Sequence, residues 1–525
     1  MRRPRSSLQR LVVAMASVIL LSSSHNQALQ IETFTGSPAN LASLVMQSVP
    51  STLHDWWGSD DSAEAGVIKG FRLASAHHQS YDGRRAMYAP WQRPSIERLS
   101  LQTGGEMRSL NAQPFALRSV QKPVTRLRDP KKYLEARRKD FVGALSAFQA
   151  DEDSFETVSI SQPNVSDRLT LRTLAQMSNL AYYAPNDTGV PDGGWNADGG
   201  WNLSSSFGWV EDGIRGHVFA SEDNKTVVLA LKGTSAAVLP GGGGETARRD
   251  KMNDNLLFSC CCAHVGWTWH TVCDCFGDSA PPDDPDGNLT SIGSELYRAA
   301  SVPTCSKNCL SRALVEKSLY YPATTDLYNN VSYLYPDSQI WVTGHSLGGA
   351  LGALIGYTFG VPVVSFEAPA ERMAAQRLHL PFPKGHTPAD AAHVTSVYHT
   401  ADPIPMGECI GSISACATAG FAMESKCHGG QVVLYDTERL LDWSSNVLTH
   451  RIATLVDDVF GMDWGDKVRE YQEGKKGSKI DEDELKRLQQ TPLITNERKC
   501  VECQAWKYVD KDLPSKAEYG LSINS

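Results

Sequence analysis

Long apolar runs are nearly absent from this chain of 525 residues. The one candidate, residues 11–21, is apolar except for Ser17 and follows four arginines. A membrane span needs about 20 apolar residues, so a run this short is more typical of a signal-peptide core. No tidy small-x-small cleavage site follows it, however, which leaves an uncleaved signal anchor with its basic end in the cytosol as the alternative. We therefore predict a signal anchor or a signal peptide within residues 1–30.

An excess of positive charge is also absent, since the formal net charge is −9. This balance gives no support to nucleic-acid binding. The charge is uneven, because residues 69–139 contain 16 Lys or Arg and only 5 Asp or Glu. A basic stretch such as residues 126–139 is suited to anionic lipid head groups, although a solvated surface is the more ordinary interpretation. No internal repeat is present.

Cysteine, by contrast, is plentiful and clustered. The chain has 12 cysteines and six Asn-x-Ser/Thr sequons. An even number of cysteines in a glycosylated chain predicts disulfides and a lumenal or extracellular compartment. Zinc is the alternative for Cys500 and Cys503, which have ligand spacing, but no second pair of ligands lies near them, so we predict no metal site. The predicted glycosylation sites are Asn164, Asn186, Asn202, Asn224, Asn288 and Asn330.

Alternation of helical and β patterns begins near residue 166. A helix capped by Ser166 or Asp167 is predicted through Leu180, and residues 311–334 have helical spacing with a break or kink at Pro322. Near-continuous apolar runs predict strands that are buried on both faces. These strands are expected at residues 226–231, 340–343, 362–366, 394–398 and 431–435. The pattern predicts an α/β fold: a mostly parallel sheet with helices on both faces.

The flanking regions are less regular. Residues 31–165 are polar, rich in Pro, Gly and Arg, and weakly periodic, with one short strand indicated around residues 70–73. Beyond residue 460 the chain is charged and ends with a cysteine pair. We therefore expect four parts. These are the targeting segment at 1–30, an irregular lumenal region at 31–165, the α/β domain at 166–460 and a C-terminal tail at 461–525.

A nucleophile elbow is predicted at Ser346. The motif Gly-His-Ser-Leu-Gly at residues 344–348 follows an apolar strand and opens a helix-compatible segment rich in Gly, Ala and Leu. A strand that turns sharply into a helix with serine at the apex is the nucleophile elbow of α/β-hydrolases. Glycines two positions before and after the serine leave room for strand and helix to approach closely.

A serine nucleophile needs a base and an orienting carboxylate, which follow it in the order acid, then histidine, in this fold. Asp402 stands where the predicted strand 394–398 runs out into a Pro-x-Pro loop. It would therefore lie at the carboxyl edge of the sheet, near the nucleophile. We predict Asp402 as the acid, ahead of Asp390 and Asp436.

Four of the histidines that follow the nucleophile in the chain are compared as candidates for the base: His393, His399, His428 and His450. His450 lies after the last predicted strand and at the start of a helix, so it is the predicted base. His428, beside a Gly-Gly pair, is the second choice. His393 and His399 precede or belong to the strand of the acid and cannot easily fold back. His345, beside the nucleophile, is expected to pack within the elbow.

The oxyanion hole should combine the backbone N–H after the nucleophile with a donor from the loop after an early strand. Leu347 supplies the first. The second is expected from Thr234, which follows the strand at 226–231 and offers both an amide and a hydroxyl. Alone, this Gly-Thr pair would be read as an ordinary turn. Acyl transfer by such a site needs no metal or cofactor.

At this point the motifs resemble a known family. The segments that carry the resemblance are residues 231–234 (Leu-Lys-Gly-Thr), 342–350, 402–405 (Asp-Pro-Ile-Pro) and 448–450 (Leu-Thr-His). Together they look like class 3 lipases over residues 166–460. The amino-terminal apolar run, the sequons and the Cys-Val-Glu-Cys motif at 500–503 followed by Trp506 resemble, more narrowly, the autophagic vacuolar lipases of fungi.

This resemblance implies an α/β-hydrolase with a triad of Ser346, Asp402 and His450 that hydrolyses triacylglycerol and phospholipids. It also implies a single-pass type II membrane protein of the endosome, the multivesicular body and the prevacuolar membrane. Such a protein passes through the ER and the Golgi and is delivered to the vacuole lumen. There the family lyses the membranes of autophagic bodies. The implied partners are a lipid substrate and a membrane surface, without nucleic acid.

Two other functions stay open from the residues alone: a secreted soluble esterase, and a non-catalytic lumenal glycoprotein on a hydrolase scaffold. A lipase should also need an apolar, movable cover over its site. Residues 260–275 are either this lid or a disulfide-stiffened surface loop. Their apolar neighbours are Leu256, Leu257, Phe258, Trp267 and Trp269.

Overall fold

In the computed structural model, every described residue belongs to one compact unit, which spans Ala63–Ser525. The described residues are 67–80, 86–90, 115–183, 213–221, 223–234, 244–263, 271–277, 303–408, 414, 416, 419–474 and 480–510. The predicted targeting segment at residues 1–30 lies outside them. Among the described residues, no helix combines the length and the apolarity that a membrane span requires.

A ten-stranded sheet forms the centre of the described fold, and a smaller sheet of three strands accompanies it. In chain order the strands are β1 (Val67–Gln79), β2 (Ala86–Pro90), β3 (Phe115–Leu127), β4 (Phe155–Pro163), β5 (Ile214–Ala220), β6 (Thr226–Leu231), β7 (Phe276–Gly277), β8 (Thr304–Ser306), β9 (Gln339–His345), β10 (Val363–Phe366), β11 (Val394–His399), β12 (Gln431–Tyr435) and β13 (Lys507–Val509). The large sheet has the order β12-β11-β10-β9-β6-β5-β1-β3-β4, with β2 paired to β1, and the small sheet has the order β13-β8-β7.

One half of the large sheet is parallel. Strands β6, β9, β10, β11 and β12 pair only with parallel neighbours among themselves. All five were predicted from their apolar runs, and each begins or ends within one or two residues of the predicted position. Because the carboxyl ends of parallel strands lie at one edge of a sheet, the residues that follow β6, β9, β10 and β11 are brought together there.

The other half of the sheet is antiparallel and extends towards the amino terminus. Strand β5 pairs with β6 and β1, β1 with β3, and β3 with β4. Residues 115–163 are therefore more regular than expected, and the boundary placed at residue 165 does not interrupt the sheet. The reason is that β4 is the edge strand and β3 lies next to it, and many of their polar side chains are exposed or half-buried, which leaves no apolar run to recognise.

Helices cover both faces of the sheet. They are α1 (Pro130–Lys139), α2 (Phe141–Ala150), α3 (Arg168–Leu180), α4 (Gly244–Phe258), α5 (Lys307–Lys317), α6 (Tyr320–Leu334), α7 (Leu347–Phe359), α8 (Arg372–Arg377), α9 (Thr437–Leu441), α10 (Trp464–Glu473) and α11 (Glu482–Arg487). A 3-10 turn spans Val447–His450, and a π-helical turn spans Thr454–Val459.

Two helix ends test the sequence signals directly. Asp167 caps α3 as predicted, because its side chain accepts a hydrogen bond from the Thr170 amide at 2.8 Å. The predicted break in the helix at 311–334 occurs at Ser318 and Leu319, between α5 and α6, and not at Pro322. Pro322 lies in the first turn of α6, where its missing N–H costs no helical hydrogen bond.

The parallel strands are buried on both faces, as their apolar runs predicted. In β6, Leu229 and Leu231 join the cluster formed with α5, α6 and α7. Val228 and Ala230, which alternate with them, join the cluster formed on the other face with α3, the π-helical turn and α10. Side chains alternate between the faces of a strand, so one apolar run serves two cores.

The cysteine-rich regions are joined by disulfides. The bonds are Cys260–Cys503, Cys261–Cys305, Cys262–Cys273, Cys275–Cys309 and Cys427–Cys500. The zinc alternative for Cys500 and Cys503 is therefore wrong, since each is bonded to a different and distant cysteine. The tail is also held to the domain by the pairing of β13 with β8 and by a bridge between Thr495 and Val432.

The structure does not support a movable lid at the described part of residues 260–275. Leu256, Leu257 and Phe258 are buried in the core, and so are the cysteines from Cys260 to Cys262. Three disulfides fix the segment to α5, to β8 and to the tail, and a fourth closes the segment on itself. The stiffened-loop interpretation is the correct one for these residues, whereas Trp267 and Trp269 lie outside the described residues.

Candidate active site

Ser346 stands at a sharp turn between β9 and α7. Its backbone has φ of 56° and ψ of −133°, in a region that residues with a side chain seldom adopt. The Ser346 amide donates to the Phe366 carbonyl at 3.0 Å, which ties the turn to the neighbouring strand β10. The predicted strand, turn and helix are thus present, and the serine is 5% exposed.

The flanking glycines are required by close backbone contacts. A Cβ atom on Gly344 would lie 2.6 Å from the carbonyl carbon of Gly348, across the turn. A Cβ atom on Gly348 would lie 2.5 Å from the Leu231 carbonyl oxygen at the end of β6. No side chain fits at these distances, so the glycines allow α7 to begin directly against the two central strands.

His450 and Asp402 meet Ser346 at the carboxyl edge of the sheet. The His450 Nε2 atom lies 2.9 Å from the Ser346 Oγ atom, and its Nδ1 atom lies 2.6 Å from Asp402 Oδ2. Because an ionised carboxylate only accepts, Nδ1–H donates to Asp402 and Nε2 accepts from the serine hydroxyl. A nucleophile, a base and an orienting carboxylate in this order can carry out acyl transfer.

Asp402 is completely buried, and burial alone would raise its pKa. The opposing effects are larger: the charge and hydrogen bond of His450, the interaction with the Glu367 side chain and a hydrogen bond from the Ile404 amide hold the pKa of Asp402 below its usual value. Oδ1 accepts the Ile404 amide at 3.0 Å, which leaves Oδ2 to face His450.

The loop that carries His450 is held against the loop of the acid. The Asn446 amide donates to the Ala401 carbonyl at 3.0 Å, and the Thr449 hydroxyl donates to the same carbonyl at 2.8 Å. The Asn446 side chain caps the 3-10 turn by accepting from the Leu448 amide. Residues adjacent to the acid therefore set the position of the histidine.

His345 packs in the elbow, as predicted. Its Nε2 atom lies 2.7 Å from the His450 carbonyl oxygen, so this nitrogen carries the hydrogen. Nδ1 then accepts from the Tyr182 hydroxyl at 2.7 Å. Burial, together with the nearby His450, lowers the pKa of His345 to about 3 and keeps its ring neutral.

The remaining histidines have other partners. His428, the second choice for the base, is fully buried, stacks on Tyr398 and lies 3.1 Å from the Pro405 carbonyl oxygen through Nε2. His393 Nε2 lies 3.0 Å from the Gly356 carbonyl oxygen. His399 is buried in β11, with Nε2 3.3 Å from the Thr449 carbonyl oxygen.

The weaker acid candidates also serve local structure. Asp390 accepts hydrogen bonds from the Thr387 amide and hydroxyl, and it pairs with Arg498 at 2.8 Å. Asp436 caps α9 by accepting from the Arg439 amide. Neither is hydrogen-bonded to a histidine.

The expected oxyanion loop lies directly against the nucleophile. A Cβ atom on Gly233 would come within 3.1 Å of the Ser346 Cβ atom. Thr234, the next residue, donates its hydroxyl to Asp254 Oδ2 at 2.8 Å. The hydroxyl is therefore engaged by a buried carboxyl, whose pKa burial raises well above its usual value, and the Thr234 amide is the simpler oxyanion donor. Leu347 is the first residue of α7, where amides have no partner within the helix.

Sequence reasoning missed Glu367, which immediately follows β10. Its side chain is fully buried, and its carboxyl interacts electrostatically with that of Asp402. The available signal was an acidic residue at the carboxyl end of an apolar strand next to the nucleophile strand. Asp254 was missed for a different reason, because it lies within α4 and far from Thr234 in sequence.

Some predicted sites are placed only in part. Of the sequons, Asn224 and Asn330 are exposed and Asn164 is half-buried, while Asn186, Asn202 and Asn288 lie outside the described residues. Among the described residues, the sulfurs of Cys262, Cys273 and Cys275 form a group with metal-like spacing. All three are disulfide-bonded and therefore are not thiolate ligands.

Comparison with protein families adds a further observation. A family model described as lipase (class 3) matches residues 280–408, a range that includes Ser346 and Asp402. A protein of Mycosarcoma maydis named "Putative lipase ATG15" is 42% identical over 519 residues, which cover 91% of this chain and 92% of that protein. A protein of the same name from Cryptococcus neoformans (strain B-3501A) is 48% identical over 327 residues, covering 62% of this chain and 56% of its own length.

Among solved structures, lipase II from Rhizopus niveus is 15% identical with a TM-score of 0.20, covering 51% of this chain and 81% of that chain. Lip2 lipase from Yarrowia lipolytica is 16% identical with a TM-score of 0.23, covering 50% of this chain and 77% of that chain. At TM-scores this low, neither likeness carries an argument.

Proposed function

The chain belongs to the ATG15 family of class 3 lipases, and on that premise we propose that Ser346, His450 and Asp402 hydrolyse the ester bonds of triacylglycerol and phospholipids. The observation that carries this proposal is the pair of hydrogen bonds at His450, 2.9 Å to the Ser346 hydroxyl and 2.6 Å to the Asp402 carboxylate.

The first half of the reaction acylates the serine. His450 Nε2 takes the proton of the Ser346 hydroxyl as the oxygen attacks the ester carbonyl. Asp402, a carboxylate buried from water, stabilises the imidazolium that forms and holds its tautomer. The amides of Leu347 and Thr234 donate to the oxygen that becomes negative, and His450 then gives its proton to the leaving alcohol.

The second half releases the fatty acid. A water molecule takes the place of the alcohol, His450 accepts its proton, and hydroxide attacks the acyl-serine carbonyl. Collapse of the second tetrahedral intermediate returns the proton to Ser346 and frees the carboxylic acid. Every step uses only groups of this chain and water.

We also propose a vacuolar setting, in which the lipase lyses the membranes of autophagic and multivesicular bodies after travelling through the ER, the Golgi and endosomes. The name shared by its relatives and the exposed sequons Asn224 and Asn330 support this setting. The disulfides agree with it, because they persist in oxidising compartments outside the cytosol. The type II anchor within residues 1–30 stays a prediction.

A fluorophosphonate probe tests the catalytic proposal. We expect purified protein to be labelled and the Ser346→Ala variant to be unlabelled at equal folding by circular dichroism. If well-folded wild-type protein takes no label, the non-catalytic glycoprotein becomes the better interpretation.

Lipid profiling then tests the substrate class. Release of fatty acid from triolein emulsions, phosphatidylcholine vesicles and a soluble butyrate ester would be compared in one buffer. Turnover of the first two supports the proposal. Turnover of the soluble ester alone would identify a soluble esterase instead.

A further inference from the structure

Glu367 occupies a position that its own backbone disfavours. It follows β10, the strand that lies between the nucleophile strand β9 and the acid strand β11. Its amide donates to the Val397 carbonyl at 3.0 Å, and its φ is 45°. Positive φ values suit glycine, whereas a long side chain there is strained. A glutamate at this turn therefore calls for an explanation in its side chain.

The Glu367 carboxyl is buried with too few donors for a charged group. It is 0% exposed, and Oε1 accepts one hydrogen bond, from the His399 amide at 3.2 Å. Oε2 is buried and receives no hydrogen bond from any described donor. Full ionisation in such a place would leave an uncompensated charge, which is costly.

His399 does not supply the missing positive charge. Its Nε2 atom is 3.7 Å from Glu367 Oε1, beyond hydrogen-bonding distance, and lies nearer to the Thr449 carbonyl oxygen at 3.3 Å. Burial lowers the pKa of His399, so its ring is neutral. The two side chains are neighbours and do not form an ion pair.

The charged group that acts on Glu367 is instead the carboxylate of Asp402, which follows the same strand end as His399, the residue whose amide binds Oε1. Two carboxyls in contact and away from water cannot both be ionised, so they share one proton. Asp402 is the ionised member of the pair, because the Ile404 amide and His450 both donate hydrogen bonds to it. Burial, and then the charge of Asp402, raise the pKa of Glu367 well above its ordinary value.

We propose that Glu367 is a positioning residue for the triad, whose protonated carboxyl donates a hydrogen bond from Oε2 to the Asp402 carboxylate. The inference rests on the proposed function of Ser346, Asp402 and His450 and names a fourth side chain that acts through the acid. Asp402 then has three donors, from a backbone amide, from His450 and from Glu367. This set fixes the plane of its carboxylate while one oxygen faces the imidazole.

The consequence for the reaction concerns pH. Hydrogen bonds to the charged form of an acid favour that form, so the bond from Glu367 keeps Asp402 ionised as the pH falls. The other titratable groups that face this pair are Tyr398, His399, His450 and His345. Tyr398 and the two buried rings of His399 and His345 are neutral, which leaves His450 as the only one of these that changes charge during the reaction.

Two substitutions separate the carboxyl from the backbone strain. Glu367→Gly removes the donor and suits the positive φ, so this variant should fold at least as well as wild type. Glu367→Gln keeps a donor, since its amide group can bind Asp402 while its oxygen accepts from the His399 amide. Glu424→Gln is the control, because Glu424 is a half-buried carboxyl that binds the Cys260 amide instead of Asp402.

We expect Glu367→Gly to lower kcat by about 10- to 100-fold, the range for residues that orient a reacting group through an intermediary. Its acid limb in the pH profile of kcat/KM should move to higher pH. Glu367→Gln should recover most of kcat and the wild-type acid limb, and Glu424→Gln should match wild type. The proposal is overturned if Glu367→Gly keeps the wild-type kcat and acid limb, or if Glu367→Gln is as impaired as Glu367→Gly.

Infrared difference spectroscopy gives a readout that does not depend on turnover. A protonated carboxyl has a C=O stretch distinct from that of a carboxylate, so wild-type protein at neutral pH should show a band that Glu367→Gln removes and Glu424→Gln retains. Absence of a band specific to Glu367 overturns the proposal. Ser346→Ala should keep the band, so a wild type that shows it yet takes no fluorophosphonate would refute the proposed function and not the shared proton.

Discussion

The active-site edge of the sheet and the disulfide-bonded region around α4, α5 and the C-terminal tail, called here the cystine-linked region, are held by different kinds of bond. Around Ser346, Asp402 and His450 the chain is positioned by strand pairing and by hydrogen bonds, such as those that Ala401 accepts from Asn446 and Thr449. Around α4, α5 and the tail, four disulfides of the described residues join cysteines 34 to 243 positions apart, and a fifth closes a local loop. The difference indicates that reactive geometry and global stability depend on separate residues. Substitutions should therefore change one without the other.

The largest effect is expected at the active-site edge. Asp402→Asn should lower kcat by about 10⁴-fold, because an amide at this position favours the wrong tautomer of His450. His450→Ala should be at least as inactive, while thermal unfolding of both variants stays close to wild type. Steady-state turnover of a soluble ester and calorimetry measure the two quantities.

The controls for this prediction are Asp390→Asn and Asp436→Asn, which alter acidic residues of local turns and should leave turnover unchanged. If His428→Ala abolished turnover and His450→Ala did not, the base would be misassigned.

The second effect belongs to the cystine-linked region. Replacing both Cys275 and Cys309 by serine opens a link with a sequence separation of 34 residues. Loss of such a disulfide is expected to lower the free energy of unfolding by about 2–4 kcal/mol, because the unfolded chain gains freedom. Urea denaturation would measure this loss, and kcat at low temperature should not change. A fall in kcat of folded protein would show that the two regions are coupled.

His428 lies between the two regions, beside the disulfide-bonded Cys427 and against Pro405 of the acid loop. Burial opposes its charge, but the Glu371 carboxylate, 3.5 Å from the His428 Nδ1 atom, and the charge of Glu497 outweigh burial and raise the pKa of His428. A group whose pKa is higher in the folded than in the unfolded protein stabilises the fold. For a histidine this stabilisation is complete when the pH is below the unfolded-state pKa of about 6.5, and it is lost as the pH rises through the folded-state pKa.

His428→Gln should therefore lower the free energy of unfolding by about 2 kcal/mol at pH 5–6 and by less at alkaline pH. Unfolding titrations across this range would check the prediction. An equal loss at every pH would show that the ring acts by packing and not by its charge.

The smallest effect is expected where neither region is involved. Glu156 accepts from Arg126 Nε at 3.0 Å, between β3 and β4 at the sheet edge, where both side chains are partly exposed. Exposed ion pairs contribute about 0.2–1 kcal/mol. Glu156→Gln should therefore change the free energy of unfolding by no more than this in low salt, and by less in high salt. A larger change would mean that this edge supports the parallel half of the sheet.

The sequence alone predicts the parallel half of the fold well. Strands that are buried on both faces leave continuous apolar runs, and their carboxyl ends share one edge. These two facts predict that Ser346 and Asp402 meet, whereas His450 is predicted from the order acid, then histidine, and from its place after the last strand. The cap of α3 is predicted at Ser166 or Asp167, because a capping side chain acts on residues next to it in sequence.

Other features depend on contacts that leave no local pattern. Strand β4 is the edge strand and β3 lies next to it, and their partly exposed polar side chains make both resemble irregular sequence. The disulfide pairing depends on which loops meet in space, as Cys427 and Cys500 show. Glu367 was missed because its role follows from burial against Asp402 and from a positive φ, neither of which is visible in a string of residues.

The hydrogen bond from His345 to the His450 carbonyl ties the position of the general base to the strand that carries the nucleophile. His345 precedes Ser346 by one residue, so one short piece of backbone carries both the attacking oxygen and the anchor of the loop that deprotonates it. A displacement of that strand would carry the imidazole in the same direction, and the separation of 2.9 Å between the two reacting atoms would change little. The attacking oxygen and the base therefore share one anchor in the sheet.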